Sequence, residues 1–147
     1  TTIKRRKTPD SSCCIFGDPK ETRTAARDPK DRHAAWDFRV ILDASPAGKG
    51  HALILPKQHY ANMFEIDDEV LAKAAKLAKK VITHEKEVLG CDGYNVLQNN
   101  GEAAGQTVFH FHMHLIPRKA GDQAVPEWEH LSLSDDEMKE ICDKMKM

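Results

Sequence analysis

Residues 109–116 read Phe-His-Phe-His-Met-His-Leu-Ile, an apolar side chain alternating with histidine over six positions. Along an extended chain successive side chains point to opposite faces, whereas a helix would scatter this pattern around its axis. The segment Thr107–Ile116, stopped by Pro117, therefore reads as a strand. Phe109, Phe111, Met113 and Leu115 face a core, and His110, His112 and His114 line the other side. A sheet with one apolar face needs a layer to cover it.

The cover lies upstream. From Asp67 to Leu89, Val70, Leu71, Ala74, Leu77, Ala78, Val81, Ile82, Val88 and Leu89 recur at three- and four-residue steps, the apolar stripe of an amphipathic helix. Asp67, Asp68 and Glu69 complement its positive end, and Gly90 is placed to stop it. Trp36–Asp43 and His51–Leu55, joined by Ala44-Ser45-Pro46-Ala47-Gly48-Lys49-Gly50, read as a hairpin, with Phe38, Val40 and Leu42 on one face and Ile41 on the other. Asp92–Leu97 gives a third strand, residues 99–105 a loop, and residues 134–146 a short helix opened by Ser134. The expected class is α+β: an antiparallel sheet with one long helix and a short C-terminal helix packed on it. Residues 1–12 read as a flexible basic tail and 13–147 as a single domain.

Charge narrows the partners. The 147 residues carry a net charge of −1, so no global basic field points to nucleic acid or to an anionic membrane. No apolar run approaches the ~20 residues that span a bilayer. The four cysteines, Cys13, Cys14, Cys91 and Cys142, are too scattered for a disulfide framework. The expected location is the cytoplasm, and an anionic substrate must be held by local donors. Gly48-Lys49-Gly50 lacks the spacing and following helix of a P-loop.

Three readings compete for the histidine row. A polar outer face would be unusual, because histidine is neither common nor a favoured strand former. A metal site suits imidazole, but in a strand the outer two residues stand ~13 Å apart, which makes one ion on all three awkward. Nucleophilic catalysis suits it better: neutral imidazole has a free lone pair for phosphorus, and phosphorylated imidazole leaves readily. Gly105-Gln106-Thr107, running into the strand, supplies backbone N–H groups and a hydroxyl for phosphate oxygens.

The run His110 to Ile116 resembles the signature of the histidine-triad (HIT) family, three histidines alternating with apolar residues. Asp43-Ala44-Ser45-Pro46, Gly50-His51-Ala52-Leu53-Ile54-Leu55-Pro56-Lys57, Gln98-Asn99-Asn100-Gly101 and Ala104-Gly105-Gln106-Thr107-Val108 resemble further blocks of the family, in order, over residues 36–121. The resemblance implies roles. His112 is the nucleophile; His114 and Thr107 contact the phosphate or leaving group with the backbone of Gly105 and Gln106. Asn99 orients the substrate, and Asp43 accepts the ribose hydroxyls. Ala44, Phe16, Ile41 and Leu42 line the base, while His51 and His110 support from behind. It further implies a homodimer and a purine nucleotide as small-molecule ligand.

Many members carry a structural zinc on two cysteines and two histidines. Here Cys14, His59 and His110 match three ligands, and Gly17 stands at the fourth. A closed zinc site wants four, so with Cys13 or Asp18 as the only substitutes no bound metal and no required cofactor is expected. Asn99 and Asp43 resemble the Hint branch, which cleaves nucleoside phosphoramidates. Residues 117–122 resemble the dinucleoside polyphosphate hydrolases. The expected activity is cleavage at the α-phosphorus of purine nucleoside phosphoramidates or dinucleoside polyphosphates through a nucleotidyl-histidine, releasing a nucleoside monophosphate. A nucleotide-binding scaffold with vestigial chemistry and a metal-dependent hydrolase are the rivals.

Overall fold

Period-two segments become strands and the long three-four stripe becomes a helix. The computed structural model describes residues 37–124 and 129–147. Their elements are β1 (Phe38–Leu42), β2 (Ala52–Pro56), α1 (Asp68–Leu89), β3 (Gly93–Leu97), a 3-10 turn (Glu102–Ala104), β4 (Met113–Arg118) and α2 (Asp135–Met145). The four strands form one sheet in the order β1-β2-β4-β3. Every pair is antiparallel, so the class is α+β as expected. The basic tail, Cys13, Cys14, Phe16 and Asp18 lie outside the described residues.

The core lies between α1 and one sheet face. Phe38, Val40, Ala52, Ile54 and Leu115 from the strands meet Ala74, Leu77, Ala78 and Val81 from the helix, all buried. Small side chains at 74 and 78 let the helix backbone approach the sheet closely, which raises packing density. A second cluster of Tyr60, Ile66 and Phe111 shares Val70 and Met113 with the first, carrying the core under the loop before α1. The helix begins at Asp67, its N-cap residue, and ends at Gly90, whose positive φ of 60° lets its N–H reach Lys86 O.

Several boundaries differ from the expected ones. Val88 is exposed, and Glu85 takes a buried place on the stripe. Its carboxylate accepts from the Tyr94 hydroxyl at 3.0 Å, and burial raises its pKa. Leu42 is half out of the core at the rim of β1. Pro117 lies inside β4 instead of stopping it, whereas β2 ends at Pro56. The capping box of Ser134 and Glu137 forms at the start of α2, each of whose residues is exposed.

The largest difference concerns the histidine segment. Hydrogen-bonded pairing of β4 starts at Met113, opposite Ile54, and not at Thr107. Residues 107–112 are no strand. Phe111 N–H donates instead to Tyr60 O at 2.6 Å, so the loop before α1 holds the segment. Phe109 is exposed and does not join the core, whereas Phe111 and Leu115 are fully buried.

Candidate active site

His114 is the one triad histidine within the sheet, paired with Leu53 on β2 and Leu97 on β3. This central position fixes its ring beside that of His112, with centroids 4.9 Å apart and edge-on packing. His51, at the end of the hairpin turn, brings Nε2 to 2.9 Å from His114 Nδ1. Asp43, at the other end of that turn, places Oδ2 at 3.6 Å from His51 Nε2 and 4.0 Å from His114 Nδ1. Its Oδ1 accepts from Ser45 N–H at 2.8 Å. Asp43, His51, His112 and His114 thus gather at one end of the hairpin.

The expected row of three imidazoles is interrupted. His110 turns away to pair with His59, Nδ1 to Nδ1 at 3.1 Å, and its Nε2–H donates to Pro56 O at 2.8 Å. Without ladder partners at 110 and 112, the segment is free to rotate these side chains off a common face. His110 still acts on its neighbour, because its backbone carbonyl accepts from His112 Nδ1 at 2.7 Å. A carbonyl oxygen can only accept. His112 Nδ1 therefore carries the hydrogen, and Nε2 of the neutral ring carries the lone pair.

Burial lowers the pKa of His51, against a smaller opposing pull from Asp43. His114 is also lowered, first by burial, then by the positive charge that His112 and His51 can carry. Burial therefore favours the neutral form of both rings.

The loop before the histidines is built around one amide side chain. Gln106 is buried; its Oε1 accepts from Gly101 N–H at 2.8 Å, and its Nε2 donates to Ala61 O at 2.6 Å and Val108 O at 3.1 Å. Its own N–H donates to Gly101 O at 3.0 Å and that of Gly105 to Glu102 O at 2.9 Å, so the two backbone donors expected to hold a phosphate are engaged within the loop. Gly105 adopts a φ of 86°, and a Cβ there would lie 3.8 Å from Asn99 Nδ2. Asn99 and Gly105 therefore adjoin; Thr107 next to them is exposed, as is Ala44 on the hairpin turn. Sequence reading missed Tyr60 and the Ala47 N–H, which donates to His51 Nδ1 at 3.0 Å. Both act through the backbone, so residue type gives no signal for them.

Two clusters invite a metal. The ligand atoms of Asp43, His51 and His114 lie within 4.8 Å of one another. Yet the Ala47 N–H occupies the lone pair on His51 Nδ1, leaving Nε2 protonated and unable to ligate. The zinc that the family resemblance implies fits better at His59 and His110. Because His110 donates through Nε2, its Nδ1 carries a lone pair, which an ion would take in place of the hydrogen bond from His59 Nδ1; Cys14 lies outside the described residues. Such an ion would brace the segment bearing His112.

Comparison with known proteins gives the family and the fold. Residues 35–121 match the family profile described as HIT domain. Over 112 residues the chain is 42% identical to the adenosine 5'-monophosphoramidase hnt1 of Schizosaccharomyces pombe, covering 73% of this chain and 81% of that protein. It is 43% identical over 82 residues to the adenylylsulfatase HINT3 of Arabidopsis thaliana, covering 56% of this chain but only 42% of the relative. A HIT family protein from Bacillus anthracis superposes with a TM-score of 0.67 at 30% identity, over 82% of this chain and 83% of that one. On the triad, the hairpin carboxylate, the fold and these matches, the chain belongs to the HIT domain family.

Proposed function

We propose that the protein is a nucleotide hydrolase or transferase that cleaves the bond between the α-phosphorus of a purine nucleotide and its substituent, by way of a nucleotidyl-His112 intermediate. The observation that carries this reading is the bond from His112 Nδ1 to His110 O at 2.7 Å. It holds the ring in the tautomer whose Nε2 can attack, without a separate base to activate it.

In the first step a bond forms from His112 Nε2 to the α-phosphorus, and the bond to the substituent breaks with its electron pair on the departing atom. His114 Nε2–H stabilises that atom, and a departing amine takes its proton from solvent. Water then attacks the phosphorus, His112 leaves as neutral imidazole, and a nucleoside monophosphate is released with one proton. The Thr107 hydroxyl receives a phosphate oxygen, beside the turn in which the N–H groups of Gly105 and Gln106 donate to Glu102 O and Gly101 O. Asn99 orients the substrate, Asp43 accepts the ribose hydroxyls, and Ala44, Ile41 and Leu42 border the base. Preorganised donors of this kind carry most of the stabilisation in phosphoryl transfer, so the step itself requires no metal.

The substituent is an amine or a second phosphate group, as in phosphoramidates and dinucleoside polyphosphates. The relatives named adenosine 5'-monophosphoramidase favour the amine. Family membership also supports a homodimer, and β3 ends the sheet as a strand with one neighbour. Steady-state kinetics on an adenosine 5'-phosphoramidate tests the mechanism. His112→Ala should lower kcat by a factor of about 10³ or more, as expected for loss of a nucleophile, while AMP still binds. Turnover within a few-fold of the parent would refute the covalent route.

A further inference from the structure

The hydrogen bonds that end on His114 begin at a backbone amide. Ala47 N–H lies 3.0 Å from His51 Nδ1, and a peptide N–H can only donate. Nδ1 of His51 must therefore hold the lone pair, which puts the hydrogen of the neutral ring on Nε2. That hydrogen faces His114 Nδ1 at 2.9 Å. His114 Nδ1 accepts it, so the neutral His114 ring carries its own hydrogen on Nε2. One main-chain amide sets two tautomers in series.

Resting on the nucleotidyl-transfer reading above, the geometry points to the Ala47 amide and His51 as a positioning pair that holds His114 as an Nε2–H donor toward the atom leaving the α-phosphorus. Asp43 is not a further link. Its Oδ2 stands 3.6 Å from His51 and 4.0 Å from His114, beyond hydrogen-bond range. It cannot hold His114 in the opposite tautomer. Burial of both rings works in the same direction, since it favours their neutral forms. An imidazolium at His114 would set an Nδ1–H against the Nε2–H of His51.

The series ends in a peptide group with no proton to give. It supplies a directed hydrogen bond and no net proton, so its effect depends on how much charge gathers on the departing atom. A basic amine needs that bond; p-nitrophenolate, which departs as a stable anion, hardly does. Dependence on the leaving group separates positioning of His114 from general damage to the site, which would slow every substrate alike.

The test uses the full chain with adenosine 5'-phosphoryl substrates bearing either an alkylamine or p-nitrophenolate. Three variants serve: His51→Leu, His51→Gln, and an ester in place of the amide at Ala47, made by incorporating lactic acid. The ester removes the N–H and leaves every side chain in place. The ester and His51→Leu should each lower kcat on the amine by about tenfold or more, the scale of losing one aimed donor, and by no more than about threefold on p-nitrophenolate. His51→Gln should recover most of the loss on the amine, because its amide oxygen accepts from Ala47 and its nitrogen donates to His114. Nitrogen-15 spectra of the parent protein should show both His51 and His114 protonated on Nε2. Equal losses on both substrates, or an Nδ1–H on either ring, would overturn the positioning pair and leave the nucleotidyl-transfer reading standing. Absence of turnover on both substrates in the parent protein would overturn the two together.

Discussion

His114 faces neighbours with opposite demands. Asp43 favours its charged form, while burial and the nearby imidazoles of His112 and His51 favour the neutral one, and burial is the largest influence. His51 has the same balance with fewer opponents. Both pKa values are lower in the folded protein than in the unfolded chain, so between the two values the unfolded chain binds more protons. These groups cost the fold nothing above the ordinary histidine value of ~6.5 and weaken it as pH falls through their folded values. The thermal midpoint should therefore drop between about pH 7.5 and about pH 5.5, a range in which histidine is the side chain that ordinarily titrates. The drop should be smaller in His51→Gln, which removes one of the two lowered groups. Equal drops in parent and variant, followed by calorimetry, would show that these rings do not control the acid side.

Elements explain which part of the site could be read in advance. The apolar–histidine alternation identified Phe111 and Leu115 as core and His114 as a strand residue, because side-chain period is local information. The histidine segment departs from the ladder for non-local reasons. Tyr60 O takes the N–H of Phe111, and Gln106 ties Gly101, Ala61 and Val108 into one loop. Neither partner is visible from the sequence of the segment itself. Gln106→Ala should leave those three groups short of a partner, at a cost of about 1–3 kcal/mol, and lower kcat by about tenfold as the Thr107 hydroxyl and Asn99 lose their aim. Denaturant unfolding and kinetics read the two effects, and an unchanged kcat would free the loop of any positioning role. The hairpin turn is constrained differently. Gly50 has a φ of 92°, and a Cβ there would come within 2.5 Å of Leu89 Cδ1. Leu89 is partly exposed and can rotate aside, so Gly50→Ala should cost about 1–2 kcal/mol, mostly backbone strain. Denaturant unfolding that found no loss would show that the turn relaxes freely.

At the scale of the molecule, one helix covers one sheet face, and the hairpin end and the 99–112 segment bring the chemistry to His114. Local pattern gave the sheet, the long helix and the capped α2. It left Asp43 as an ordinary turn residue and Asn99 and Gly105 as ordinary loop residues, which only their resemblance to family blocks marked as functional. Antiparallel pairing sets Leu53 and Leu97 on either side of His114, so the hairpin turn and the loop after β3 approach that residue from opposite ends of the sheet. On the proposed mechanism, all of this architecture serves a covalent step at a single nitrogen. The most direct test is the intact mass of the protein, quenched in alkali milliseconds after mixing with an adenosine 5'-phosphoramidate. A nucleotidyl-His112 intermediate requires a transient gain of one adenylyl group, located on His112 by fragmentation and absent from His112→Ala. Rapid release of AMP with no adduct at any time, or an adduct that persists in the His112 variant, would contradict it.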